Sequence, residues 1–109
     1  MNAEIKDKVI KEFISKYKDI IKSLYNPYGV WLFGSRISGI PKKESDIDMI
    51  LVSEKFEGIK FINRMGEVLK EIDFSKHIDA ICYTPDEFEK KKAEIGLVKE
   101  AIDKGLRVL

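Results

Sequence analysis

Several residue types and patterns are scarce in this 109-residue sequence, and each scarcity removes a class of protein. There is one cysteine, Cys82, so neither an internal disulfide framework nor a cysteine-cluster zinc site can be built. Cys82 lies in the apolar run "DAICY" and reads as a small buried filler. No apolar run approaches the roughly 20 residues that span a bilayer, and "MNAEIKDKVIKEF" lacks the apolar core of a signal peptide, so the expected location is the cytoplasm, away from any membrane. An excess of one charge is missing as well. Twenty Lys plus Arg face 19 Asp plus Glu, a net charge of +1, which gives no global field to draw in nucleic acid directly; an anionic ligand needs a local site. Glutamine is absent while Lys and Glu are abundant, a lean shared with proteins of thermophiles. Repeats and Pro/Gly/Ser linkers are lacking too, so residues 1–109 read as one domain.

What is present is a clear alternation of periodicities. From Ala3 to about Leu24, apolar residues recur every three or four positions (Ile5, Val9, Phe13, Tyr17, Ile20 and Leu24 among them), which predicts an amphipathic helix stopped at Asn26 and Pro27. "YGVWLF", 28–33, predicts a first strand ended by Gly34, and "SRISGIPKK", 35–43, a turn with one or two helical turns. "DIDMILV", 46–52, predicts a second strand with Asp46, Asp48, Ile50 and Val52 on one face and Ile47, Met49 and Leu51 on the other. Both faces are apolar beyond the aspartates, the pattern of a central strand covered on both sides. A helix over 59–72 presents Ile59, Ile62, Met65, Leu69 and Ile72; "HIDAICY", 77–83, is a third strand; "TPDEFEKKKAEI" and "LVKEAIDKG" are helices parted at Gly96; and "LRVL" is a short last strand. The fold class is α/β, a small domain with a mixed β-sheet and flanking helices.

Aspartate is depleted in strands, so Asp46 and Asp48 at the head of an apolar one need a reason. One reading makes "ESD" a turn with Asp46 as a cap. The other is chemical. At i and i+2 both carboxylates face one way, about 7 Å apart, within reach of one Mg²⁺ or a pair of them. A short connection lets strands one and two run antiparallel, which brings Gly34 and Ser35 level with the aspartates. A helical crossover makes strands two and three parallel and sets Asp79 beside them. Three carboxylates at one sheet end suit hard cations. Gly34 permits close backbone approach, and the following amides and the Ser35 hydroxyl can donate to phosphate oxygens. Arg36 reads either as a further cation for that ligand or as a surface charge. Metal-bound triphosphate fits these parts. Gly34 and Gly39 have Walker spacing, but Ile40 and Pro41 stand where Lys and Ser/Thr are required, which excludes an ATPase P-loop. His77 is left outside the catalytic set. Trp31 and Phe33 read as core, Ser38 and Gly39 as turn, and "EKKKAEIGLVKE" as a solvated helix face.

Gly-Ser, ten residues, then Asp-x-Asp between apolar strands resembles the signature of the minimal nucleotidyltransferase (MNT) family, within the DNA polymerase β-like nucleotidyltransferase superfamily. The resemblance implies that Gly34 and Ser35 bind the nucleotide's β and γ phosphates, that Asp46 and Asp48 hold two Mg²⁺, and that Asp79 is the third carboxylate. It further implies attack of a hydroxyl on the α-phosphorus of a triphosphate, expected to be ATP, with release of pyrophosphate. Larger members carry an acceptor-binding domain for which 109 residues leave no room, so a partner chain is expected to supply it. The resemblance points to a helical HEPN protein in a hetero-oligomeric toxin–antitoxin module, this chain being the antitoxin expected to adenylylate it on a hydroxyl such as a tyrosine's. The competing readings are a non-catalytic nucleotide-binding module that neutralises its partner by contact and, less favoured for want of an acceptor domain, a small-molecule nucleotidyltransferase of the aminoglycoside type.

Overall fold

In the computed structural model, which describes residues 5–109, Asp7 starts the first helix. Its side chain accepts from the amides of Val9 (2.8 Å) and Ile10 (3.1 Å), satisfying two orphan donors. Helix α1 therefore runs Lys8–Tyr25 rather than from Ala3, and Ala3 and Glu4 lie outside the described residues. It ends at Asn26, left-handed at φ 42°, ahead of Pro27. The chain continues through β1 (Gly29–Phe33), the single-turn helix α2 (Ser35–Ser38), β2 (Ile47–Val52), a 3₁₀ turn at Glu54–Phe56, α3 (Phe61–Leu69), β3 (Ile78–Tyr83), α4 (Pro85–Lys92), α5 (Leu97–Lys104) and β4 (Leu106–Arg107). Helix α4 opens on the expected Thr84–Pro85 start, with Thr84 and Glu87 closing a reciprocal capping box.

The four strands form one mixed sheet ordered β3-β2-β1-β4. β1 pairs antiparallel with β2 and β4, and β2 pairs parallel with β3 across the α3 crossover. β2 is buried on both faces, as its alternation predicts. Ile47, Met49 and Leu51 meet Phe13, Tyr17 and Val68 under α1 and α3. Ile50 and Val52 meet Trp31, Phe88, Val98 and Ala101 under α4 and α5. Trp31 stacks on Phe88 at 4.8 Å between ring centroids, so it is core rather than a platform for a base.

The expected helix over 59–72 differs in length and in facing. Arg64 and Val68 turn inward while Ile62 is 83% exposed. The Arg64 guanidinium is the cause. It donates to the carbonyls of Ile59 (2.9 Å) and Cys82 (3.2 Å) and pairs with Glu87, and these bonds fix which side of the helix meets the sheet. Cys82 is 2% exposed, and burial pushes its thiol up to about 12, an inert filler as expected.

Candidate active site

The sheet register brings the polar strand ends together. Parallel pairing sets Asp48 opposite Asp79, and antiparallel pairing sets Asp48 opposite Phe33, the residue before Gly34. Just upstream, the Ile47 amide donates to the His77 carbonyl at 2.9 Å, which holds His77 level with Asp46. Alternation then points Asp46, Asp48, His77 and Asp79 to one side of the sheet, in two rows on two adjacent strands. Asp46, His77 and Asp79 are exposed, and Asp48 is half-buried.

Gly34 occupies φ 92°, ψ −166°, where a side chain is strained, and a Cβ there would collide with the Asp48 carboxylate. The glycine thus lets the turn and the carboxylate share one space. After it, the Ile37 and Ser38 amides close on the Gly34 carbonyl at 3.0 Å each, while the first-turn amides of Ser35 and Arg36 have no acceptor within their own helix. A cleft of about 370 Å³ opens here, lined by Gly34, Ser35, Ser38, Gly39, Asp48 and Lys104. A larger cavity of about 560 Å³ lies over Arg36 and Asp7 and contains none of the strand-end aspartates, so the smaller cleft is the one next to the chemistry.

Burial raises the Asp48 carboxyl above the usual range; the charges of Asp79 and Asp46 add to the rise and His77 opposes it. Crowded carboxylates of this kind are relieved by a bound cation, and their oxygens are hard donors, so the donor set fits a divalent metal ion. Ligand atoms of Asp46, His77 and Asp79 all lie within 4.8 Å of one another. Asp48 stands outside this trio, against Gly34, so the three expected carboxylates are neighbours but not one tight ligand set.

Arg36 is corrected. It is neither a surface charge nor turned toward the cleft, but 9% exposed and fully engaged. Its Nη1 pairs with Asp7 at 3.0 Å, Nε donates to the Ser45 carbonyl at 2.8 Å, and Nη2 donates to the carbonyls of Lys43 (3.0 Å) and Lys42 (3.3 Å). It therefore clamps the loop that delivers Asp46. Three residues that sequence reasoning passed over stand at the site, Glu100 and Lys104 on the cleft wall and His77 beside Asp79. His77 was detectable, because it shares a strand face with Asp79. Glu100 and Lys104 were not, since only the return of α5 along β1 brings them to the cleft.

Residues 14–106 match the nucleotidyltransferase domain family, and the chain belongs to that family. Over 97 residues it is 31% identical to "Probable protein adenylyltransferase MntA" of Haemophilus influenzae, covering 85% of this chain and 83% of that one. It is also 31% identical over 97 residues to MJ1379 of Methanocaldococcus jannaschii, named as a candidate protein adenylyltransferase, at 89% and 91% coverage. A crystal structure of a candidate nucleotidyltransferase from Sulfolobus solfataricus superposes with a TM-score of 0.56 at 25% identity, over 94% of this chain and 86% of that one. The expected α/β nucleotidyltransferase fold and enzyme class both stand.

Proposed function

We propose that this nucleotidyltransferase is a Mg²⁺-dependent protein adenylyltransferase, moving AMP from ATP onto a hydroxyl of a helical HEPN-type partner in the cytoplasm and silencing it as an antitoxin. The observation that carries this reading is the crowding of three carboxylates beside a Gly-Ser cleft. The names of the Haemophilus influenzae and Methanocaldococcus jannaschii relatives support a protein acceptor.

In this reading the Gly34–Ser35 turn receives the β and γ phosphates through backbone amides and the Ser35 hydroxyl. Lys104, on the cleft wall, supplies the cation that Arg36, engaged by Asp7 and the 42–45 loop, does not. Asp46, Asp48 and Asp79 hold the metal. Mg²⁺ held by these carboxylates would supply polarisation of the α-phosphoryl group and a lowered pKa for the attacking hydroxyl. The acceptor oxygen bonds to the α-phosphorus while the bond from that phosphorus to the α–β bridging oxygen breaks, and pyrophosphate leaves. Asp79, exposed at the strand end, takes the hydroxyl proton and passes it to solvent.

The test is incubation of the protein and its co-purified partner with ATP labelled at the α or the γ phosphate. Label from the α position alone, dependent on Mg²⁺ and absent with Asp46→Asn/Asp48→Asn, is the expected result. An unlabelled partner, or equal labelling by the double variant, overturns the reading.

A further inference from the structure

The trio whose ligand atoms come closest together is not all oxygen. We propose that His77 joins Asp46 and Asp79 in a mixed nitrogen–oxygen site, so that a divalent transition ion, manganese or cobalt in class, gains more from this imidazole than magnesium does. The proposal deepens the nucleotidyl-transfer reading of this strand end and rests on it.

Three observations converge. First, two ligands on opposite sides of an ion bound at about 2.1 Å lie about 4.2 Å apart, so ligand atoms within 4.8 Å of one another need only small side-chain rotations to close on one ion. Second, the backbone beneath the trio is fixed. The His77 carbonyl is bonded to the Ile47 amide at 2.9 Å, Lys76 Nζ donates to the Lys43 carbonyl at 3.1 Å, and Arg36 ties down the carbonyls of residues 42, 43 and 45. The start of β3 and the loop leading to Asp46 are therefore stitched together, and the ligands need little reordering on binding. Third, the donor types discriminate. Magnesium favours an all-oxygen shell and keeps its waters, whereas imidazole suits first-row transition ions, whose affinity for such sites rises from manganese to cobalt. Two carboxylates alone favour these ions over magnesium only modestly, because magnesium dehydrates reluctantly; His77 widens the difference.

The test uses the full chain and its His77→Ala variant, an exposed position where folding is not at risk. Mn²⁺, Co²⁺ and Mg²⁺ are titrated separately, and pulsed electron paramagnetic resonance of the Mn²⁺-loaded protein reads nitrogen coupling from an imidazole. The expected results are nitrogen coupling in the wild type and none in the variant, with Mn²⁺ and Co²⁺ binding weakened by roughly tenfold or more and Mg²⁺ binding changed less than twofold. Absence of nitrogen coupling in the wild type, or equal Mn²⁺ affinity in both proteins, overturns the proposal. Label transfer from ATP is scored in parallel: transfer without nitrogen coupling sinks this inference alone, whereas coupling without transfer upholds the metal site and sinks the reading of the reaction.

Discussion

The two ends of the parallel pair β2–β3 treat charge in opposite ways. At the carboxyl end, Arg64 is answered by Glu87 and by the carbonyls of Ile59 and Cys82, and Glu87 in turn accepts from the Thr84 amide at 2.9 Å. The buried guanidinium and its carboxylate there are both partnered by the fold. At the amino end, Asp46, Asp48 and Asp79 face one another with the imidazole of His77 among them, and none of the three carboxylates forms an ion pair among the described residues. The pKa shifts carry the same contrast. Hydrogen bonding from Arg64 lowers the Glu87 carboxyl, whereas burial and like charges raise that of Asp48. A charge that the protein itself balances is architecture; a cluster left unbalanced is a place prepared for something else.

Substitutions at the two ends should therefore separate activity from stability. The largest expected effect is on transfer: Asp46→Asn with Asp48→Asn removes metal stabilisation worth several kcal/mol and lowers label transfer by roughly a thousandfold, while the thermal midpoint stays level or rises. Arg64→Met reverses the pattern. It strands the carbonyls of Ile59 and Cys82 and costs about 2 kcal/mol, less than a fully buried pair because Glu87 is partly exposed. The midpoint in a melting experiment should fall by about 10 °C with activity per folded molecule unchanged. Gly34→Ala joins the two ends of the comparison, since a Cβ forced into the left-handed region against Asp48 costs about 1–2 kcal/mol and displaces a site carboxylate. It should lower both melting midpoint and transfer.

Lys104→Ala is expected to weaken ATP binding about tenfold by calorimetry, with Lys104→Arg restoring most of it. The smallest effect is in pH dependence, and its sign differs between the ends. The folded-state pKa of Glu87 is lowered, so its contribution to stability is present above the unfolded value near 4.5 and is lost as pH falls through the folded one. The folded-state pKa of Asp48 is raised, so ionisation costs stability above 3.8, increasingly up to the folded value. Glu87→Gln should thus lower the melting midpoint at pH 7, by progressively less as pH falls below 4.5. Asp48→Asn should raise it slightly at pH 7 and leave it unchanged at pH 3.

Much of this was legible in the sequence because it is periodic or local. Period-two alternation in "DIDMILV" assigned both faces of β2, and the Thr84–Pro85 start of α4 depends only on neighbouring residues. The Gly-Ser turn and Asp-x-Asp were legible for the same reason: both lie on one short connection. What failed depended on long-range bonds. The facing of α3 follows from Arg64 reaching Glu87, 23 residues on, and Arg36 is withdrawn from the cleft by Asp7, 29 residues back. Hydrophobic periodicity weighs apolar residues only, so a buried arginine misleads it. His77 lay within reach of the argument: the alternation that placed Asp79 on the site face places His77 there too.

The central claim is that the amino end of β2–β3 is unbalanced because it is completed by metal-bound nucleotide. Calorimetric titration of ATP into the wild type and into Asp46→Asn/Asp48→Asn, each with and without Mg²⁺, tests this most directly. The account predicts that Mg²⁺ tightens ATP binding at least tenfold in the wild type and has no effect in the double variant. Equal ATP affinity in the wild type with and without Mg²⁺ would contradict it.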